Sequence, residues 1–306
     1  MKRAGLFAVL GVAVTVPTSV LAATPGPPSG TGTAASCRES APRPRPGAPG
    51  ARDRGELTPA QVNEVELQFS RLLARKGAAA SARAANINIP VYVHVLHSGA
   101  TGNLSDATIN SQMAVLNTTY SGKTGGAATG FTFSLQGVTR TDNAAWYTRP
   151  EENETAIKTK LRKGDKRALN LYTVGLSDQV LGWSTFPWEY AAHPTMDGVV
   201  VHAGSLPGGA ITGFDKGYTA THEVGHWLGL YHTFQNGCAQ PGDTVDDTPY
   251  ERDPSSGCPN ARDTCPAATG ADPVHNFMDY SQDACMSQFS SGQGERMRKI
   301  FMTYRS

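Results

Sequence analysis

Apolar and polar positions change their spacing several times along this chain, and each change marks an element. Behind Lys2 and Arg3, residues Gly5 to Val16 form an apolar run. The run is too short to span a membrane, and Pro17, Thr18 and Ser19 close it. With small residues around Ala22 and Ala23 it reads as a secretory signal over residues 1–22. From Thr24 to Gly55 large apolar residues nearly vanish, and Pro, Gly, Ala, Ser and Arg dominate. Such a stretch cannot bury a core and reads as disordered or polyproline-like. Thr58 and Pro59 then supply an N-cap and a first helical position. Val62, Val65, Phe69, Leu72 and Leu73 follow at helical spacing until Gly77. This one amphipathic helix has no partner of its own and is expected to dock on the rest of the chain.

From Ile87 the period switches. Ile89 to Leu96 is β-branched and alternating, which predicts a strand. Ser105 to Tyr120 predicts a helix with Ile109, Met113 and Leu116 on one face. Phe131 to Leu135, Leu169 to Val174 and Gly198 to His202 predict strands, and Glu151 to Arg162 a second helix. Gly182 to Pro187 is short and stops at proline, as an edge strand would. This alternation predicts an α/β (α+β) fold with a mixed sheet. After His232 periodicity is lost in a Gly/Pro/Asp/Cys-rich stretch, and only Ser291 to Tyr304 looks helical again. The expected organisation is a signal over 1–22, a pro-segment over 23–83 and a globular domain over 84–306.

Charge refines this picture. The net charge is +1 over 306 residues, which gives no reason to expect a nucleic-acid partner. It is unevenly spread: Thr24 to Arg83 carries nine Lys/Arg against five Asp/Glu, whereas the chain from Ala84 is net acidic. A basic leader on an acidic body fits either a removable segment held partly by charge or a solvated linker. Export places the five cysteines, Cys37, Cys238, Cys258, Cys265 and Cys285, in an oxidising compartment. Four lie in the last third and allow three pairings. Wide spacings without a CxxC pair argue against a four-cysteine zinc site.

Candidate chemistry concentrates in one run. His222, Glu223, His226, Gly229 and His232 form H-E-x-x-H-x-x-G-x-x-H. On a helix, residues four apart lie roughly 40° apart around the axis, so His222 and His226 can face one ion. Glu223 stands beside that face, placed to take a proton from water. Gly229 can adopt positive φ, end the helix and turn the chain so that His232 becomes a third ligand. Three neutral imidazoles leave a fourth zinc position open, as in catalytic sites.

This motif resembles that of the metzincin metallopeptidases, and more narrowly the pappalysin family. Asn276-Phe277-Met278-Asp279-Tyr280 matches the family's methionine turn. Asp197-Gly198-Val199-Val200-Val201, Gly242-Asp243-Thr244-Val245-Asp246-Asp247-Thr248-Pro249 and Ser287 to Gln293 are similar to further family segments. The resemblance covers about residues 87–304. It implies an upper subdomain with a twisted mixed sheet and the active-site helix. Below that it implies an irregular disulfide-bonded subdomain ending in a C-terminal helix. It also implies Met278 as an apolar floor under the histidines, and Tyr280 as a zinc ligand or a donor to the reacting oxyanion. The implied disulfides are Cys238–Cys265 and Cys258–Cys285. Asp243, Asp246 and Asp247 are candidate calcium ligands or a solvated acidic turn. Cys37 is a pro-segment thiolate that silences zinc, an incidental cysteine or a partner in an intermolecular disulfide.

The implied function is a secreted zinc endopeptidase acting on polypeptides, with Glu223 as general base. Zn2+ is the implied cofactor, with Ca2+ as a candidate second ion, and no membrane partner is expected after signal removal. The edge strand from Gly182 would pair with an extended substrate. Asp283, just past the methionine turn, would favour a basic side chain if it faces the pocket. The competing reading is a non-catalytic secreted module stabilised by zinc or calcium.

Overall fold

The computed structural model describes residues 57–76, 86–177 and 180–306, together with the backbone of residues 43 and 44. The expected signal, Cys37 and the end of the expected pro-segment at Arg83 lie outside the described residues.

The strands are β1 (Arg43–Pro44), β2 (Ile87–His97), β3 (Phe131–Asp142), β4 (Leu169–Val174), β5 (Val180–Ser184) and β6 (Val199–His202). The helices are α1 (Pro59–Lys76), α2 (Asp106–Tyr120), α3 (Ala144–Thr148), α4 (Pro150–Leu161), α5 (Tyr218–Trp227) and α6 (Ser291–Ile300). One sheet runs in the order β1-β5-β6-β4-β2-β3. β3, β2, β4 and β6 are mutually parallel neighbours, while β5 runs antiparallel to β6 and β1 antiparallel to β5. The parallel pairs need crossovers, which α2 and the α3–α4 pair supply. The sheet is therefore mixed, as the alternation of elements predicts.

Element ends follow local chemistry. Ser105 caps α2 by accepting from the Thr108 N–H, Pro150 opens α4, and Ser290 and Gln293 form a capping box on α6. Strand β3 continues to Asp142, beyond the expected Leu135, because it pairs with β2 along its whole length to His97. Its outer half is only partly buried, so its apolar alternation is weak. The C-terminal helix ends at Ile300 and continues as a π-helical turn over Phe301–Arg305.

The main core lies between the sheet and α2, α5 and α6, where Val93, Leu116, Val201, Val224, Met297 and Phe301 are buried together. After α5 the chain is irregular, and two interlocked disulfides close it, Cys238–Cys265 and Cys258–Cys285. Each removes freedom from the unfolded chain worth about 3 kcal/mol. A buried ion pair joins the two halves. Arg305 donates to both carboxylate oxygens of Asp197 at 2.8 and 3.0 Å, and its guanidinium lies 3.7 Å over the Trp227 ring. Asp197 also accepts from the Trp227 indole N–H and the Thr185 hydroxyl.

Between β5 and that pair lies a short 3-10 turn, Pro187–Glu189. Glu189 accepts from the Phe186 N–H at 2.7 Å, and burial pushes its pKa up to about 7 despite that hydrogen bond. The folded protein holds this proton more tightly than the unfolded chain does. The group's contribution to stability is therefore full below about pH 4.5 and is lost as pH rises through about 7. Glu189→Gln keeps the acceptor and removes the titration. Melting temperatures between pH 5 and 8 should fall less steeply for this variant than for wild type.

Candidate active site and metal centre

The site begins with α5. Its ten residues from Tyr218 to Trp227 bring His222 and His226 to one face, one turn apart. The helix ends in a Schellman arrangement. The Leu230 N–H donates to the Gly225 carbonyl at 3.0 Å, and the Gly229 N–H to the His226 carbonyl at 2.8 Å. Gly229 has φ +97°, and a Cβ there would meet Ile300 at 2.6 Å, so the turn needs glycine twice over. The reversal carries His232 back beneath the helix.

All three imidazoles are buried. His226 Nε2 lies 3.1 Å from His222 Nε2 and 3.0 Å from His232 Nε2. The other ring nitrogens decide the chemistry. His222 Nδ1 sits 2.6 Å from the Phe277 carbonyl and His226 Nδ1 2.7 Å from the Leu230 carbonyl. A carbonyl only accepts, so each Nδ1 carries the proton and, in neutral rings, each Nε2 presents a lone pair. Lone pairs converging in a buried place need a cation between them. These donors fit zinc, and the triad forms a candidate metal-ligand group among the described residues.

Glu223 is fully buried on the same helix beneath β5. A Cβ on Gly182 would come within 3.4 Å of Glu223 Oε1 and 2.6 Å of the Val200 carbonyl, so glycine in β5 leaves the carboxylate its room. Tyr280 is buried with its ring centroid 4.9 Å from that of His232 and 5.7 Å from that of His222. Met278 is fully buried, and its carbonyl accepts from the Thr233 N–H, next to His232. The structure therefore brings His222, His226, His232, Glu223, Met278 and Tyr280 together.

The three aspartates behave differently from one another. Asp243 is buried, and one of its oxygens accepts from the Thr248 hydroxyl and the Val245 N–H. Its second oxygen is buried without a hydrogen bond, and burial pushes its pKa up to about 7. Asp247 accepts from the Ser290 hydroxyl and the Gly292 N–H, tying the loop to the start of α6. Asp246 is exposed. Asp283 is buried, with one oxygen accepting from the Lys216 N–H at 2.8 Å.

Two supports were not legible as site residues. Phe186 packs edge-on against His226, with ring centroids 5.5 Å apart, and the Arg305–Asp197 pair holds the end of α5 through the Trp227 carbonyl and indole. Asp197 stood out in its motif without a role, and Arg305 carries no local signal.

The family model described as pregnancy-associated plasma protein-A matches residues 165–302. An extracellular metalloprotease of Pyricularia oryzae is 46% identical over 231 residues, covering 74% of this chain and 79% of its own. Extracellular metalloprotease 1 of Coccidioides posadasii is 43% identical over 263 residues, covering 84% and 91%. Among solved structures, a Tannerella forsythia promirolysin mutant superposes with a TM-score of 0.67 at 32% identity, covering 79% of this chain and 90% of that one. Mature mirolysin in complex with a cleaved peptide gives 0.63 at 35% identity, covering 71% and 92%. The chain belongs to the pappalysin family of metzincin metallopeptidases.

The floor under the metal site is testable. A Cβ on Gly225 would stand 2.4 Å from the Met278 sulfur. Gly225→Ala should destabilise the fold by about 1–3 kcal/mol through overpacking and weaken zinc retention. Thermal unfolding and competition with a chelator measure the two effects.

Proposed function

We propose that this protein is a secreted zinc metalloendopeptidase, made with an inhibitory leader and acting on polypeptides. The observation that carries this reading is three buried imidazole nitrogens converging beside a buried glutamate under β5, whose outer edge meets only the two-residue β1 among the described residues. When bound, zinc polarises a carbonyl and lowers the pKa of a water towards ~7. His222, His226 and His232 hold it, with Nδ1–carbonyl bonds orienting the first two rings. Glu223 takes a proton from the attacking water and passes it to the leaving amine. Tyr280 donates to the oxygen on which negative charge develops. β5 aligns an extended substrate by strand addition. Asp283 is the candidate for a preference for basic side chains.

The leader's role has its own support. Arg43 and Pro44 pair antiparallel with Gly182 and Val180, on the edge that a substrate would use. The promirolysin chain covers a larger share of this chain than mature mirolysin does, 79% against 71%, as removal of a leader would give. Relatives named extracellular metalloproteases support export, and no helix among the described residues is long and apolar enough to cross a membrane. Cys37 remains a candidate thiolate switch within that leader.

Calcium is the second candidate ion. The unpartnered, buried oxygen of Asp243 is the feature that supports it. Addition of calcium should raise the melting temperature of wild type and have no such effect on Asp243→Asn.

The central assignment is tested by Glu223→Ala. This variant should retain one zinc per chain and lose hydrolysis of an unfolded protein by about 10³-fold or more. Zinc chelation should abolish wild-type cleavage. A variant cutting at near wild-type rates would remove Glu223 from the mechanism. Zinc binding without cleavage by the processed wild type would favour the structural-zinc module.

A further inference from the structure

Helix α1 lies in the leader, yet it is seated on the body through a specific surface. Val62 is fully buried against Phe186 and Tyr231, with Trp188 alongside. One turn on, Glu66 accepts from both terminal nitrogens of Arg296 at 2.6 and 3.1 Å and from the Tyr231 hydroxyl at 3.2 Å. A further turn on, Phe69 stacks on Tyr304 at 6.3 Å. Arg296 lies 5.0 Å over the Tyr231 ring and is itself buried. α1 therefore presents an aliphatic residue, a carboxylate at i+4 and an aromatic residue at i+7 to a complementary strip.

That strip does not end at α1. Phe186 lies two residues past the end of β5 and packs against His226. β1 runs antiparallel to β5, with Arg43 opposite Gly182 and Pro44 opposite Val180. A substrate pairing in the same sense would have its N-terminal side towards Phe186, so the strip continues the cleft in that direction. Without α1, a guanidinium stacked on tyrosine and three aromatic rings would stand uncovered beside the active site. Exposed aromatic and arginine clusters of this kind are where binding energy concentrates.

Resting on the peptidase reading, we propose that this strip is a docking site for an amphipathic helical segment of polypeptide substrates, lying N-terminal to the bond that is cut. The segment carries α1's pattern of an aliphatic residue, a carboxylate one turn later and an aromatic residue after another turn. The leader helix fills the site in cis until the leader is removed. Arg296 supplies the charge selection and the Phe186–Trp188–Tyr231 surface the apolar contact.

The experiment uses the full-length chain. Val62→Asp with Phe69→Asp loosens α1 and leaves the strip intact; Glu223→Ala is added so that binding is read without cleavage. A fluorescent peptide of residues 57–76 should bind this variant, and bind the Glu223→Ala chain with native α1 at least about tenfold more weakly. The peptide with Glu66→Ala should lose about tenfold in affinity. In the processed protein with Glu223 intact, unlabelled peptide should slow cleavage of a protein bearing such a helix and leave a short peptide that spans only the cleft unaffected. No binding by a variant with native near-ultraviolet circular dichroism overturns the proposal. So do equal binding by both chains and equal inhibition of both substrates, which would place the peptide elsewhere or in the cleft. If the double variant does not fold, Glu66→Arg opposes Arg296 from the leader side and carries the same expectations. Binding as stated with no cleavage of either substrate would count against the peptidase reading and leave the docking site standing.

Discussion

Three imidazole nitrogens meet in the protein interior, two of them with lone pairs fixed by their Nδ1 bonds, and that convergence favours a cation between them. That electrostatic constraint organises this molecule. Two of the rings are held by Nδ1 bonds to the carbonyls of Phe277 and Leu230, so neither can turn its lone pair away. The carbonyls come from the methionine turn and from the reversal after α5. Both loops are therefore part of the metal site through their backbones. A Cβ on Gly225 would meet the Met278 sulfur and one on Gly229 would meet Ile300, so both positions beside these loops need glycine.

The C-terminal end of the same helix is also held by charge. Asp197 and Arg305 are both buried, and a buried charge without its partner costs several kcal/mol. Here the pair is fully hydrogen-bonded, to Trp227, Thr185 and the Lys166 carbonyl as well as to each other. It links the entry to β6, the end of α5 and the last turn of the chain. The active-site helix is thus pinned at the reversal by Ile300 packing on Gly229, and at its flank by Arg305.

Glu66 ties α1 to the reversal after α5. Its partner Arg296 also donates to the Gly229 carbonyl at the helix reversal. Helix α1 therefore reaches the reversal that presents His232 through Arg296, while the two-residue β1 lies along β5. One segment thus contacts the site from two sides, through an ion pair and through backbone pairing.

Much of this was written locally in the chain. The spacing of His222, His226 and His232, with Glu223 beside the first and a glycine at the turn, carries the metal chemistry, because ligand geometry on one helix and one turn depends only on neighbours in sequence. The strands and helices of the first half follow from periodicity for the same reason, and α1 was visible as a stripe needing a partner. The extension of β3 to Asp142 was not visible, since its outer half is only partly buried and β2 alone dictates its length. Nor was the choice among three cysteine pairings legible from spacing; it came with the family resemblance, and it depends on which loops lie together in space. Phe186 against His226, Glu66 on Arg296 and Arg305 on Asp197 join positions 40, 230 and 108 residues apart. Sequence determined what each segment could form and which ion it could hold. Tertiary structure alone decided what covers the site and what pins it, because charge pairing and packing act through space between residues that carry no mark of one another along the chain.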